Sequence, residues 1–378
     1  MFPFHKKKKG EGRIRRFGLV LFESKNLSAA GGTQNPGQEE LRSHMSQQEL
    51  RAFMAGKYGA PVYTEHQIQE LERQLCRDSH ENCHLHITKG AHVDSHIQNG
   101  FEALQREREQ AQIEKNRHFY LEHLDRNRVL IARLAGKIQN SILLYLQPAR
   151  VKSNTGEIDG KLVWRAVTLQ DERVFTRSEQ GNMGDLCVDI LLDSSTSQKN
   201  RQEIVSTQGY MIAEALTRCG IPCRVMSFCS MTGYTILRVF RDYQDPRDNQ
   251  RIFEYVSNGC NRDGLAIRTA HHLIRDTLYE HKILIVLSDV RPNDIVRIRE
   301  ARDGERYPYD SDVGIRDTSL EVRRARADGI AVLCIFTGKD EDLPGAKAVY
   351  GHSLVRIQSL DMLADTVGML IQNQIRSF

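Results

Sequence analysis

Residues 189–198, DILLDSSTSQ, place an aspartate and several hydroxyl side chains directly after an aliphatic run. Asp193, Ser195 and Ser197 alternate along this segment, and alternate residues of an extended chain point to the same side. Their oxygens could then converge on one hard cation. The alternative is structural, because Ser, Thr and Asp also end strands and cap the helix that follows. The choice between the two depends on what else reaches the same place.

Two further aspartates occupy corresponding points later in the chain. Asp289 ends the apolar run KILIVLSD, and Asp263 precedes Gly264 in NGCNRDGLAIRT, where a helix is predicted to begin. Each alone fits a turn or a helix cap. Together with Asp193 they form a group of carboxylates, which repel one another unless a cation lies between them. We therefore predict a metal site with oxygen ligands, suited to Mg²⁺, with Mn²⁺ or Ca²⁺ as alternatives and water completing the shell. The predicted ligands are Asp193, Ser195, Ser197, Asp263 and Asp289.

An alternation of apolar strands and amphipathic helices from residue 185 onward would position these residues. Such units predict an α/β fold, a doubly wound and mostly parallel sheet with helices on both faces. Ligands bind outside the carboxyl ends of the strands in sheets of this kind. Before this region, LVWRAVTL (162–169) and RVFTRS (173–178) have the composition of two more strands.

The remainder of the chain divides by composition. Residues 1–45 contain the basic run KKKK and many small polar residues, and we expect a basic disordered tail. Residues 46–150 are predicted to form a helical domain, with one helix over 66–75 and one long or two shorter helices over 100–147. Residues 160–378 form the α/β domain.

Bulk properties exclude several classes of protein. The net charge of +4 over 378 residues is too small to indicate nucleic-acid binding. No apolar stretch approaches the roughly 20 residues that span a bilayer, and the first residues lack the order of a secretory signal. Several cysteines lie inside apolar runs, as reduced core thiols do. We expect a cytoplasmic protein without a membrane span.

A second cluster of metal-binding residue types lies in LERQLCRDSHENCHLHITKGAHVDSH (71–96). Cys76 and His80 are four residues apart and would share a helix face, and Cys83 and His86 could supply the other corners of a tetrahedral Zn²⁺ site. The alternative is a polar, histidine-rich loop between helices. The spacing matches no standard zinc finger, so the residues alone leave both interpretations open.

The order of motifs DSSTS, NRDG and LSDVRPND resembles a von Willebrand factor A (VWA) domain with its metal-ion-dependent adhesion site, or MIDAS. Asp193, Ser195 and Ser197 match the DxSxS element in full, while Asp263 stands where most of the family has threonine. That replacement is similar to the branch of NorD, the nitric-oxide-reductase activation protein, and CobT, a cobaltochelatase subunit. The segment 313–330 resembles the NorD type more than the CobT type. Val290 departs from the family, which usually has glycine after the last aspartate.

This resemblance implies a non-catalytic adaptor. The metal would keep one coordination position open for an acidic residue of a partner protein, and the partners would be a MoxR-type AAA+ ATPase and a target enzyme that the pair activates or metallates. The chain has no GxxxxGK[ST] phosphate loop and no GxSxG elbow, so it is itself neither that ATPase nor a serine hydrolase. Two alternatives stay open: a CobT-like cobaltochelatase subunit, although no long acidic segment precedes the α/β region, and a metal-dependent hydrolase, although no separate base or nucleophile accompanies the ligands.

Overall fold

The computed structural model describes residues 44–90, 100–146, 149–169, 173–179, 186–299, 305–357 and 359–375, together with Gln38 and Arg42. Apart from these few positions, the predicted basic tail (1–45) lies outside the described residues.

Ten helices are described, and local capping explains where the first two begin. Ser46 and Glu49 form a reciprocal capping box at the start of α1, and Thr64 and Gln67 do the same for α2. The helices are α1 (Gln47–Tyr58), α2 (Glu65–Leu75), α3 (Gly100–Glu122), α4 (Leu124–Leu146), α5 (Val163–Leu169), α6 (Gln202–Arg218), α7 (Asp263–Arg275), α8 (Ser311–Ala327), α9 (Leu343–Tyr350) and α10 (Leu360–Ile375). The predicted helix at 66–75 is confirmed, and the stretch 100–147 forms two helices.

Seven of the strands form one sheet in the order β1-β7-β6-β5-β8-β11-β12. Neighbouring strands are parallel except β6 and β7, which form a hairpin. The strands are β1 (His84–Thr88), β2 (Ala149–Ser153), β3 (Glu157–Ile158), β4 (Phe175–Glu179), β5 (Leu186–Asp193), β6 (Cys223–Met231), β7 (Tyr234–Arg241), β8 (His281–Ser288), β9 (Asn293–Arg299), β10 (Arg306–Asp310), β11 (Ile330–Phe336) and β12 (Leu354–Arg356). The predicted α/β fold with a mostly parallel sheet is confirmed.

The hairpin turn is set by two residues with positive φ. Thr232 (φ 51°) and Gly233 (φ 86°) join β6 to β7, as the tight two-residue turns of hairpins require. Glycine adopts this conformation at no steric cost. The turn reverses the chain so that β7 lies outside β6, where it can accept a further strand.

Helices cover both faces of the sheet. Alternate side chains of β5 point to opposite faces, and both sets are buried, so each face needs a covering layer. Val188, Ile190 and Leu192 pack in a core with α4, α6 and α10, whereas Cys187 and Leu191 enter a second core with α2, α7, α8 and α9. All eight residues of β5 are buried. The strand that ends at Asp193 is therefore fixed from both sides.

The N-terminal half is part of this architecture. Strand β1 pairs in parallel with the outer edge of β7, with His84 opposite Tyr234, and α3 and α4 share the first core. The Cys/His-rich segment was predicted as a loop or a metal site within a helical domain, and the strand was missed. Four of the five residues of this edge strand are buried although two of them are polar, and its partner strand is about 150 positions away, so no local pattern identifies it.

One predicted strand is wrong. Residues Val163–Leu169 form helix α5, beside a small antiparallel sheet of β2, β4 and β3, whereas the second predicted strand corresponds to β4. Val163, Trp164 and Leu169 of α5 are exposed. Strand propensity reflects the packing of side chains on a half-buried sheet, and these side chains do not pack in that way. Their β-forming residue types therefore did not determine the structure.

Candidate functional site

The three predicted acidic ligands lie at one edge of the sheet. Asp193 is the last residue of β5, Asp289 follows the adjacent parallel strand β8, and Asp263 is the first residue of α7. Strands β5 and β8 are in register, with Leu192 opposite Leu287. The carboxyl ends of these strands and the amino end of α7 therefore meet, as the topology of parallel sheets predicts.

The DSSTS segment divides its hydroxyl groups between structure and site. Ser194 binds the carbonyl of Phe228 through both its backbone N and its Oγ (each 2.8 Å), and Thr196 Oγ1 donates to Gly259 O at 2.6 Å. Ser195 Oγ instead lies 2.9 Å from Ser197 Oγ. Ser194 and Thr196 therefore serve the structure, whereas the predicted ligands Ser195 and Ser197 contact each other.

Hydrogen bonds hold the Asp193 carboxylate in one orientation. Its Oδ1 accepts from Ser195 N at 2.9 Å, and its Oδ2 accepts from Ser288 Oγ at 2.7 Å. Its carbonyl accepts from the Tyr255 hydroxyl. Ser288 was not among the predicted site residues, although its place beside Asp289 at a strand end is a signal that could have identified it.

Asp263 is held by a separate network at the start of α7. Its Oδ1 accepts from Asn261 Nδ2 at 2.9 Å, and the next residue, Gly264, donates its N–H to the Tyr309 hydroxyl at 3.0 Å. Gly264 leaves no room for a side chain, since a Cβ there would lie 2.0 Å from Asp317 Oδ2. The sequence NRDG thus fixes the position of the acid through the residues on both sides of it.

Burial and mutual repulsion dominate the electrostatics of the site. Burial raises the pKa of Asp193 to about 7, and the nearby Asp289 carboxylate adds to that increase. Burial also raises the pKa of Asp263 well above its usual range, with contributions from Asp193 and Asp289. Burial raises the pKa of Asp289 as well, although a hydrogen bond from Ser197 opposes the change. Three buried acids that resist ionisation together favour a cation as their counter-charge.

The residues present fit a hard cation. Asp289 Oδ1 is one of the buried side-chain oxygens, among the described residues, that have no hydrogen-bond partner. Its lone pairs are therefore available to coordinate a cation. The three carboxylates do not all approach within 4.8 Å of one another. A cation here would therefore contact only some of its ligands directly and reach others through water, as Mg²⁺ commonly does.

Val290, the departure from the family pattern, takes a left-handed conformation with φ 54°. This region is strained for a β-branched residue and natural for the glycine that the family usually carries. The side chain is 2% exposed and packs in the second core, and its N–H donates to Ser288 Oγ at 2.9 Å. The turn after Asp289 is thus kept despite the substitution.

The predicted zinc ligands do not come together. No three of Cys76, His80, Cys83 and His86 have ligand atoms within 4.8 Å of one another in the part of the chain that the structure describes. His86 Nε2 contacts Gly59 O at 3.1 Å, while Cys83 lies in the second core. Burial raises the pKa of Cys83 to about 12 and also raises that of Cys76, which disfavours the thiolates that zinc needs.

His80 belongs instead to a buried group with Asp317 and Glu321, whose ligand atoms do lie within 4.8 Å. This group is unsuited to a metal because arginine side chains already donate hydrogen bonds to His80 and to Glu321. Arg262 Nε donates to His80 Nδ1 at 3.2 Å, so Nε2 carries the proton of the neutral ring and has no lone pair for a cation. Arg268 donates to both oxygens of Glu321, at 3.1 and 2.8 Å. Sequence reasoning missed both arginines.

Comparisons with known proteins find similarity to VWA-domain proteins over part of the chain. The family model described as "Cobalamin biosynthesis protein CobT VWA domain" matches residues 174–243. The uncharacterized protein YojO of Bacillus subtilis is 23% identical over 64% of this chain and 38% of its own length. Protein NorD of Stutzerimonas stutzeri is 24% identical over 49% of this chain and 31% of its own, and NorD of Brucella suis biovar 1 is 24% identical over 45% and 27%. The chain thus spans about a third of the length of these relatives.

Two of the solved structures that show partial similarity to this chain are those of pilus proteins. The vWF domain of the type V pili tip protein Mfa5 from Porphyromonas gingivalis has a TM-score of 0.38 and 11% identity, over 50% of this chain and 96% of that chain. The pilus adhesin SpaC from Lactobacillus rhamnosus GG has a TM-score of 0.39 and 16% identity, over 52% and 31% of the two chains. None of the described helices combines the length and apolarity that crossing a membrane would require.

Proposed function

Because this chain carries a VWA domain of the NorD and CobT type, we propose that it is a metal-dependent protein-interaction module. Asp193, Ser195, Ser197, Asp263 and Asp289 would hold Mg²⁺, with Mn²⁺ or Ca²⁺ as alternatives. The chemistry that the bound ion supplies is attraction for one further anionic oxygen, a carboxylate of a partner protein. The observation that carries this proposal is the convergence of three buried acids and two hydroxyls at the carboxyl edge of the sheet.

The protein's own residues prepare the site before any partner arrives. Ser288 and the backbone of Ser195 orient the Asp193 carboxylate, and Asn261 orients that of Asp263. Ser197 lies at the exposed end of the group, whereas Ser195 is buried. The side from which a partner's carboxylate can approach is therefore the side of Ser197.

The partner that we propose is a MoxR-type AAA+ ATPase, as the resemblance to the NorD branch implies. The pair would activate or metallate a target enzyme complex, in the manner of NorD. An adaptor role without catalysis of its own fits a site whose described residues are metal ligands and the groups that orient them. A hydrolase would need a base or nucleophile in addition, and the acids that could serve are already assigned as ligands.

A CobT-like chelatase subunit is a second candidate. The match of residues 174–243 to the CobT VWA domain favours it. The similarity of residues 313–330 to the NorD type favours the first candidate. The two differ in the target complex, so the identity of the captured target separates them.

The test is a comparison of Asp263→Asn with Asp276→Asn, which alters an exposed acid at the opposite end of the same helix. Both variants and the wild type are immobilised, exposed to native lysate with Mg²⁺ or with EDTA, and the retained proteins are identified by mass spectrometry. We expect an AAA+ ATPase retained by the wild type and by Asp276→Asn in Mg²⁺ only, and lost from Asp263→Asn. Retention that is indifferent to both EDTA and Asp263 would refute the proposal.

A further inference from the structure

An open groove of about 590 Å³ lies beside the proposed metal site. Its walls come from α3, α6, the end of β11 and the start of α10, and they include Phe119, Ile204, Phe336 and Leu360. Ile204 is 40% exposed, which is unusual for an isoleucine next to a site of this polarity. The groove therefore presents apolar surface to solvent at the same edge of the sheet as the metal site.

Short contacts connect the groove to the metal site. Thr337 and Gly338 line the groove. Thr337 N donates to Ser288 O at 3.0 Å, and Thr337 Oγ1 donates to Gln198 Oε1 at 3.3 Å. A Cβ on Gly338 would lie 3.0 Å from the carbonyl oxygen of Asp289. Because the groove adjoins the proposed metal site, a peptide bound at the metal could extend into the groove.

The cations of the groove are not equivalent. Arg126 pairs with Asp361, and Arg356 pairs with Asp340. Arg201, which is half-buried, lines the groove, and the contacts of the described residues give it no hydrogen bond or ion pair. It lies close enough to Asp289 for its charge to act on that carboxyl. Arg201 is therefore a cation without a hydrogen bond or ion pair among the described residues, near the Asp289 carboxylate and the apolar wall.

We propose that this groove binds the segment of the partner that follows its metal-binding carboxylate, and that this segment carries a second carboxylate and an apolar side chain. The second carboxylate would pair with Arg201, and the apolar side chain would pack against Ile204 and Phe119. This inference rests on the proposed function, since the metal site supplies the first contact. Charge complementarity at Arg201 and continuity with the metal site determine the chemistry of this occupant.

Arg201 and Ile204 would act together to set specificity. Arg201 directly precedes α6 and Ile204 lies in its first turn, and both residues line the groove. A partner with a single carboxylate would contact only the metal, and many proteins expose a carboxylate on their surface. A second carboxylate at a fixed distance, next to an apolar residue, distinguishes one partner from many.

The test uses the full chain and labelled synthetic peptides in a Gly-Ser background. One peptide carries a single Asp, and a series adds Glu and Leu at successive positions after that Asp. Binding is measured by fluorescence anisotropy in Mg²⁺ and in EDTA. We expect the best peptide of the series to bind about tenfold more tightly than the single-Asp peptide, because a half-buried, charge-assisted hydrogen bond exceeds an exposed ion pair.

Two variants and one control locate the effect. Arg201→Gln and Ile204→Asn should each reduce the ratio of the two affinities toward one, whereas Lys199→Gln, an exposed cation that does not line the groove, should leave it near ten. Mg²⁺-dependent binding of both peptides with equal affinity would overturn the groove assignment and leave the proposed function standing. A ratio unchanged in Arg201→Gln would also overturn it. Absence of Mg²⁺-dependent binding by any peptide would overturn both proposals.

Discussion

Replacing Asp193 with asparagine tests whether the buried carboxylate of Asp193 lowers the free energy of unfolding of the metal-free protein. The side chain is fully buried, and its pKa is raised to about 7, against about 3.9 in an unfolded chain. The folded protein therefore holds this proton more tightly than the unfolded one. The contribution of Asp193 to the stability of the metal-free protein is therefore greatest at low pH and is lost as the pH rises from about 4 to about 7.

The size of the effect follows from the same values. Above pH 7 the buried charge costs about 4 kcal/mol relative to the neutral form. Asparagine keeps the shape and removes the charge, but it places an amide where Oδ2 accepts the hydrogen bond from Ser288, a loss of about 1 kcal/mol. The metal-free Asp193→Asn protein should therefore be more stable than the wild type by about 3 kcal/mol at pH 8. Below pH 4 the gain should disappear.

The assay is thermal unfolding with EDTA and with Mg²⁺, at pH 8 and at pH 4. We expect a rise in Tm of about 4 °C for Asp193→Asn in EDTA at pH 8, because a chain of 378 residues has a large entropy of unfolding. Mg²⁺ should raise the Tm of the wild type and not that of the variant, because only a protein that binds the ion is stabilised by it. A lower Tm for metal-free Asp193→Asn at pH 8 would refute the claim that the buried charge of Asp193 destabilises the metal-free fold. Equal stabilisation of both proteins by Mg²⁺ would refute the role of Asp193 in binding the ion.

Three further outcomes follow from the surroundings of the site. Arg262→Leu leaves Asp294 buried without its partner and should cost about 3 to 5 kcal/mol in urea unfolding; an unchanged midpoint would contradict the pairing. Gly264→Ala forces a Cβ against Asp317 and should cost about 1 to 3 kcal/mol, with a weaker response of the Tm to Mg²⁺; a full response would show that the start of α7 can move freely. Protein purified without chelator should contain well under one zinc per chain by elemental analysis, and Cys83→Ser should not change that content; a stoichiometric zinc lost in this variant would restore the predicted zinc site.

The place where the three acids meet was predictable because each segment that carries one of them is short and local in sequence. The eight apolar and acidic residues of β5 indicate a strand buried on both faces, and the alternation of Asp193, Ser195 and Ser197 indicates a shared direction. What joins Asp263 and Asp289 to this group is the general rule for the edges of parallel sheets. Three short segments and one topological rule were sufficient.

The parts that were missed depend on contacts between distant residues. Strand β1 is defined by its partner β7, about 150 positions later, and its residue His86 was predicted to be a zinc ligand. Arg262 is buried and bonded to Asp294, and nothing in its neighbourhood along the chain distinguishes it from the exposed arginines. Arg201 is recognisable only once the groove is formed around it.

The contacts of α7 link the metal site to the N-terminal half of the chain. Arg268 donates to the carbonyls of Leu75 and Arg77 at the end of α2, at 2.7 and 3.0 Å. Arg262, immediately before Asp263, donates to Ser79 O at 2.8 Å and to the His80 ring. A positive charge at the carboxyl end of a helix stabilises it, and a buried arginine without acceptors is costly. A displacement of residues 75–80 therefore changes the energy of the helix that begins with Asp263. Binding at the N-terminal half and binding at the proposed metal site would then act on the same helix.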